Sequence, residues 1–396
     1  MSEDQVRTYR ARYLWVEPGR SYAPGELRVA AGRVIGVGPA RGGRVPPRAI
    51  LPSLVNAHVH LQIPGLARAH RSFLPWVGAV MRAGSRHTVD DHLAHAERAL
   101  DELVNDGVAA VGEIDSTGLS PAALRAVPLG GVCYRELVGF HLGPRAARNL
   151  VAISSNPGSR HCRSGLSPHA PYSVSAAVLR AARSSRVPLA IHVAETPEEL
   201  QFLRTGRGPI RELLERLGRL PAGFRPPRSG AVEYLDRLGV LRANTALIHA
   251  QHISGAELRI IARRRAPIVV CPGTIRYFRR VPPAVPTWLD CGIVVALGTD
   301  SIASNTRLSM RHEMALARRM WPELAPQRVL TMATAHGGTA LGRRTLGTLR
   351  RGAAANFVSV PMTGSTDDCL DAFTADALDC GGIWLRGTRL RGSRTG

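Results

Sequence analysis

Short apolar runs recur along the chain, separated by longer stretches whose apolar residues follow helical spacing. Eight runs read as strands: "AILPSLVNAHVH" (49–60), "GVAAVGEI" (107–114), "GGVCYRELVGF" (130–140), "RSGLSPH" (163–169), "VPLAIHVAE" (187–195), "NTALIHAQH" (244–252), "APIVVCPGT" (266–274) and "GIVVALGTD" (292–300). Helices are predicted between them, over 90–106, 175–186, 196–218 and 254–265. Eight β–α alternations predict an α/β fold, a (β/α)8 TIM-like barrel over residues 51–345. Residues 1–50 and 346–396 instead alternate short β-like runs with turns. Neither end can build a core of its own, and together they predict a small β-sandwich.

A barrel of this kind carries its chemistry at the C-terminal ends of its strands. The polar residues fall there: His58, His60, His169, His192, Glu195, His249, His252 and Asp300. His58 and His60 are spaced i, i+2, so on a strand both project to one face while Val59 turns away. Two imidazoles converging at a strand end suit a metal ion; two surface-turn histidines are the alternative. His192 follows an apolar run as His58 does, and by itself reads equally as a core histidine. Asp300 closes an apolar strand and could cap the next helix. Taken jointly, His58, His60, His192 and Asp300 end strands 1, 5 and 8. That is a nitrogen and oxygen set for one divalent ion, zinc by preference, with iron(II) or manganese(II) as alternatives.

Glu195 lies three residues past His192. A carboxylate there can act as a proton shuttle or help cap the following helix. His249 could polarise a substrate or orient an attacking water. His169, between prolines in "LSPHAPYSVS", suits a substrate contact or a structural loop contact.

Composition narrows the picture mainly by exclusion. The 396 residues carry a formal net charge of +22, but every one of the 52 basic residues is arginine, spread along the chain. Aromatics are only 5%, so no clustered nucleic-acid patch is expected. The lack of lysine excludes a phosphate-cradling P-loop, Schiff-base chemistry and a metal pair bridged by a modified lysine. No HExxH, GxSxG or HxE…PCxxC pattern occurs. No run is long enough to span a membrane, and no signal peptide is expected. Six cysteines without CxxC pairing fit a reducing cytoplasm.

The segments "LPSLVNAHVHL", "SPHAPYSVS", "IHVAET", "IHAQH" and "ALGTDSIASN" resemble, in order, the motifs of the amidohydrolase superfamily, deaminase and chlorohydrolase branch. The branch's S-adenosylhomocysteine, methylthioadenosine and aminofutalosine deaminases are the nearest in pattern. The resemblance spans roughly residues 51–345. It implies one metal ion on His58, His60, His192 and Asp300, with Glu195 as general acid/base. It also implies that His249 lies near the attacking water, that Asp300 passes a second proton to departing ammonia, and that His169 touches substrate. Trp76 resembles a pocket tryptophan, with a hydrophobic plug as its other role. "CPGTIRYF" departs from the branch pattern, with Thr274-Ile275 where a Ser-Asn pair is usual.

The expected reaction is hydrolytic deamination of an aminated heterocycle, a 6-amino purine nucleoside derivative first of all. Alternatives are hydrolysis of another C–N or C–Cl bond on a triazine, pterin or cyclic amide, and, from a different class, a non-enzymatic anion- or RNA-binding protein. On the third strand only one of Arg135 and Glu136 can face inward. Arg135 inward favours an anionic tail on the substrate; Glu136 inward favours an amine or a hydroxyl-rich one. The expected partner is a small molecule, with neither a specific nucleic acid nor a membrane; a homo-oligomer stays open.

Overall fold

The eight apolar runs form eight parallel strands in the computed structural model, which describes residues 5–154 and 161–390. The strands are Leu54–Val59, Val108–Asp115, Gly130–Leu137, Cys162–Pro168, Leu189–Val193, Thr245–His249, Ile268–Val270 and Val295–Leu297. Each pairs with the next in sequence. First and last meet through a parallel bridge, Val59 to Asp300, with the Asp300 N–H on the His58 carbonyl at 3.1 Å. The sheet thus closes into the expected TIM-like barrel.

Two apolar layers hold it. Inside, Val55, Ala110, Val132, Tyr134, Ile248 and Val269 fill the barrel. Outside, residues of opposite parity such as Cys133, Leu137, Leu166 and Ile191 pack under the helices. This is the burial on both faces that parallel strands require.

The run drawn as one strand over 49–60 is two. Arg48–Pro52 pairs with Tyr13–Glu17 and Phe357–Pro361, and Ser53 separates it from the barrel strand. The terminal segments build a six-stranded sheet and a three-stranded one, Arg7–Ala11 with Gly25–Ala30 and Arg33–Pro39. Leu14, Leu27, Val34, Ile50, Phe357 and Trp384 fill the space between them. The helix expected over 196–218 is also two, Pro197–Thr205 and Pro209–Arg216. Gly206 (φ 70°) and Gly208 (φ 97°) take left-handed conformations between them, which end the first helix and let Pro209 start the second.

Candidate active site

The first strand does not run in simple register. Its pairing with the second slips between Asn56 and Val59. Ala57 packs inside the barrel and Val59 outside, and the bulge lets His58 face inward too. The His58 ring then lies 5.0 Å from both His60 and His192 and 5.8 Å from His249, centroid to centroid. At the opposite side of the seam, a Cβ on Gly298 would come within 2.8 Å of the His58 Cβ and carbonyl. Only glycine lets the eighth strand pass so close.

Asp300 and His249 both have left-handed backbones, φ 57° and 71°. Such conformations are costly outside glycine and persist where surrounding structure enforces them. Here they turn the ends of strands 8 and 6 toward the same centre. Asp300 Oδ1 lies 3.5 Å from His58 Nε2 and 3.7 Å from His60 Nε2. Its Oδ2 is occupied elsewhere, accepting the hydroxyls of Thr274 (2.8 Å) and Ser304 (2.9 Å). The Thr274 that breaks the sequence pattern thus orients this carboxylate.

His192 is fixed from behind. Its backbone N–H and ring Nδ1 both reach the His169 carbonyl, at 2.9 and 3.1 Å. That leaves its Nε2 for the centre. The His169 ring packs 4.8 Å from that of His192 and bonds Ser173 Oγ through Nδ1 at 2.7 Å.

Glu195 is buried, and its two oxygens have different duties. Oε1 accepts both terminal nitrogens of Arg280, each at 3.1 Å. Oε2 lies 3.8 Å from His249 Nε2. The carboxyl of Glu199 accepts the Glu195 backbone N–H at 3.0 Å and anchors the turn. Arg280 in turn lies 4.4 Å over the Phe278 ring, and Phe278 packs edge-on against Trp76 at 5.6 Å. Half-buried Trp76 donates its indole N–H to the Ala303 carbonyl (2.9 Å), tying this aromatic wall to the loop after Asp300.

Arg135 is not brought to this cluster. Alternation places Val132, Tyr134 and Glu136 inside the barrel, and Cys133, Arg135 and Leu137 outside. Arg135 donates to the Asp115 carbonyl at 3.0 Å and faces its carboxylate at 3.8 Å. Sequence reasoning missed Arg280 and the holding role of Thr274. Arg280 sits in a loop past the seventh strand, where spacing carries no directional signal.

Burial sets the protonation of the centre. It lowers His58 and lowers His60, His169 and His249 well below the ordinary imidazole value. Burial thus disfavours the charged form of each ring, which favours donation of a ring lone pair to a ligand. Burial alone would raise Asp300, but the His58 ring facing it and the neighbouring His249 and His60 outweigh that and hold its carboxyl well below the usual range. Both ring nitrogens of His58 and Nδ1 of His60 are buried without a hydrogen-bond partner. Buried polar atoms rarely go unpaired. Ligand atoms of His58, His60 and Asp300, and those of His58, His192 and His249, lie within 4.8 Å of one another. Neutral imidazoles, an ionised carboxylate and orphaned nitrogens fit a divalent ion.

A closed eight-stranded barrel with a histidine–aspartate metal site at its C-terminal mouth defines a class of metal-site hydrolases. The chain belongs to the amidohydrolase family, whose profile matches residues 49–380. It is a hydrolase of carbon–nitrogen bonds other than peptide bonds. It is 34% identical to the aminodeoxyfutalosine deaminase of Deinococcus radiodurans over 329 residues, 76% of this chain and 75% of that one. It is 27% identical to the 5-methylthioadenosine/S-adenosylhomocysteine deaminase of Pelotomaculum thermopropionicum, over 87% of this chain and 81% of the other. In fold it is similar to the crystal structure of Helicobacter pylori aminofutalosine deaminase in complex with methylthio-coformycin. There the TM-score is 0.82 at 20% identity, covering 97% of this chain and 100% of that one.

Proposed function

We propose that this protein is a hydrolytic deaminase of a 6-amino purine nucleoside derivative, using one zinc ion held by His58, His60, His192 and Asp300. The observation that supports it best is the division of labour on Glu195. One oxygen is clamped by Arg280 and the other is aimed at His249 beside the metal ligands. The relatives' names point the same way, toward 6-aminopurine substrates. When bound, the ion supplies Lewis acidity, lowering the pKa of water and polarising the attacked carbon centre.

The side chains do the rest. Glu195 Oε2 takes the proton from the attacking water and delivers it to a ring nitrogen of the base. His249 Nε2 stabilises charge developing on the incoming oxygen. Asp300 Oδ1 moves the second proton to the leaving amine, while Thr274 and Ser304 hold Oδ2 still. His169 and the Trp76 wall pack against the bound base. The activity belongs in a reducing cytoplasm, which suits six cysteines with no CxxC pair among them.

The test is ammonia release by metal-loaded protein offered adenosine, S-adenosylhomocysteine, methylthioadenosine, aminofutalosine, a triazine and a pterin. Loss of adenine absorbance with one of the first four is expected. Turnover of the triazine or pterin alone would move the protein to the alternative C–N or C–Cl hydrolases.

A further inference from the structure

Glu136 is a carboxyl that the reaction above does not use. It stands on the inner face of the third barrel strand, above Val132 and Tyr134. Protein surrounds it as it surrounds a core residue, yet it keeps accessible surface. Its inner-face position and remaining exposure leave its carboxyl partly open toward the barrel interior. It has no hydrogen-bond partner among the described residues. Its register partner on the fourth strand is Ser167, which shares its face and leads two residues on to His169. The Ser167 hydroxyl is fully buried and also unpartnered. Burial pushes the Glu136 carboxyl up, with His192 and Arg135 opposing. An unpaired carboxyl on the inner face is expensive unless a ligand completes it.

We propose that Glu136 is the specificity-determining grip on the substrate's sugar, accepting hydrogen bonds from its vicinal hydroxyls. This rests on the nucleoside reading of the site. A carboxylate accepts on two oxygens and so matches two adjacent hydroxyl donors. The base offers no such pair, because its exocyclic amine is the group that leaves at the histidine cluster. Strand spacing of about 4.8 Å puts the third strand roughly two such steps from the fifth, where His192 sits. The base can therefore lie at His192 while the sugar reaches Glu136. The same carboxylate repels an anionic tail at this spot, which agrees with Arg135 facing outward on Asp115.

The experiment compares kcat/KM for adenosine, 2′-deoxyadenosine and 3′-deoxyadenosine in the metal-loaded wild type, Glu136→Gln and Glu136→Ala. Metal content and Tm are measured on each. The wild type should favour the full ribose by ~10²-fold or more, as sites built around a substrate hydroxyl do. Glu136→Ala should bring the ratio near one by losing activity on adenosine alone, with metal retained, and Glu136→Gln should fall between. An unchanged ratio in Glu136→Ala, or a wild type indifferent to both hydroxyls, overturns the assignment of Glu136 alone. Turnover of free adenine with none of any nucleoside overturns the nucleoside reading and the grip with it.

Discussion

Thr274 and Asp300 are joined by a 2.8 Å hydrogen bond from hydroxyl to carboxylate, across the mouth of the barrel. Ser304 bonds the same oxygen. Groups that orient a metal-binding carboxylate from behind typically govern affinity by about 10–100-fold when removed. Thr274→Val keeps the shape and deletes the donor. Zinc affinity, read by competition with a chelator, should weaken by about that factor. Global stability should fall by about 1.5–3 kcal/mol, as for one hydrogen bond to a charged group.

Elemental analysis should find one divalent ion per chain. His58→Ala and His192→Ala should abolish it, while His249→Ala should keep the metal and lose turnover. Two tightly held ions, or loss of the ion in His249→Ala, would redraw the ligand set, since His249 also lies within ligand range of His58 and His192.

Glu195→Gln should retain metal and lose ~10²–10⁴-fold in kcat, the usual size of a missing general acid/base. Arg280→Met should lower kcat more than it raises KM, because Arg280 holds Glu195 in place. Arg280→Lys should recover part of that loss. Equal effects on both parameters would mark Arg280 as a substrate contact instead.

Stability should decline as pH rises through neutrality. Burial pushes Glu199 and Glu313 up from 4.5 to about 8, although each accepts a backbone N–H. A carboxyl with a raised folded value binds its proton more tightly folded than unfolded. Its contribution is therefore full below pH 4.5 and is lost as pH rises to about 8. Tm measured from pH 7 to 8, above the range where the buried histidines take up protons on unfolding, should fall, and Glu313→Gln should flatten the slope. A Tm that climbs over this range would contradict the assignment.

Much of this was legible because barrel strands are short, apolar and bounded by polar residues that must cluster at one end. The eight strands and the convergence of His58, His60, His192 and Asp300 follow from that pattern. What spacing could not show is where the chain departs from regular geometry. The run over 49–60 is apolar on both sides of Pro52-Ser53, so its periodicity does not show that one sheet hands over to another at Ser53. The bulge that turns His58 inward, and the left-handed turns at His249 and Asp300, are set by packing against neighbouring strands. Alternation could say that Arg135 and Glu136 face opposite ways, but not which way, because a bulge can reverse parity. Arg280 reaches Glu195 across 85 positions of chain, a contact that only the folded path creates.

The barrel is sealed where it is also meant to react. Its first and last strands touch through Val59 and Asp300 and through the Asp300 N–H on His58. His58 and Asp300 are also the residues assigned to the ion. An ion bound there acts as a clasp on the hoop of strands, so loading it and closing the seam become one event. Without it the hoop can open first at that joint, and amides of the first and eighth strands should exchange with solvent ahead of those in the third and fourth.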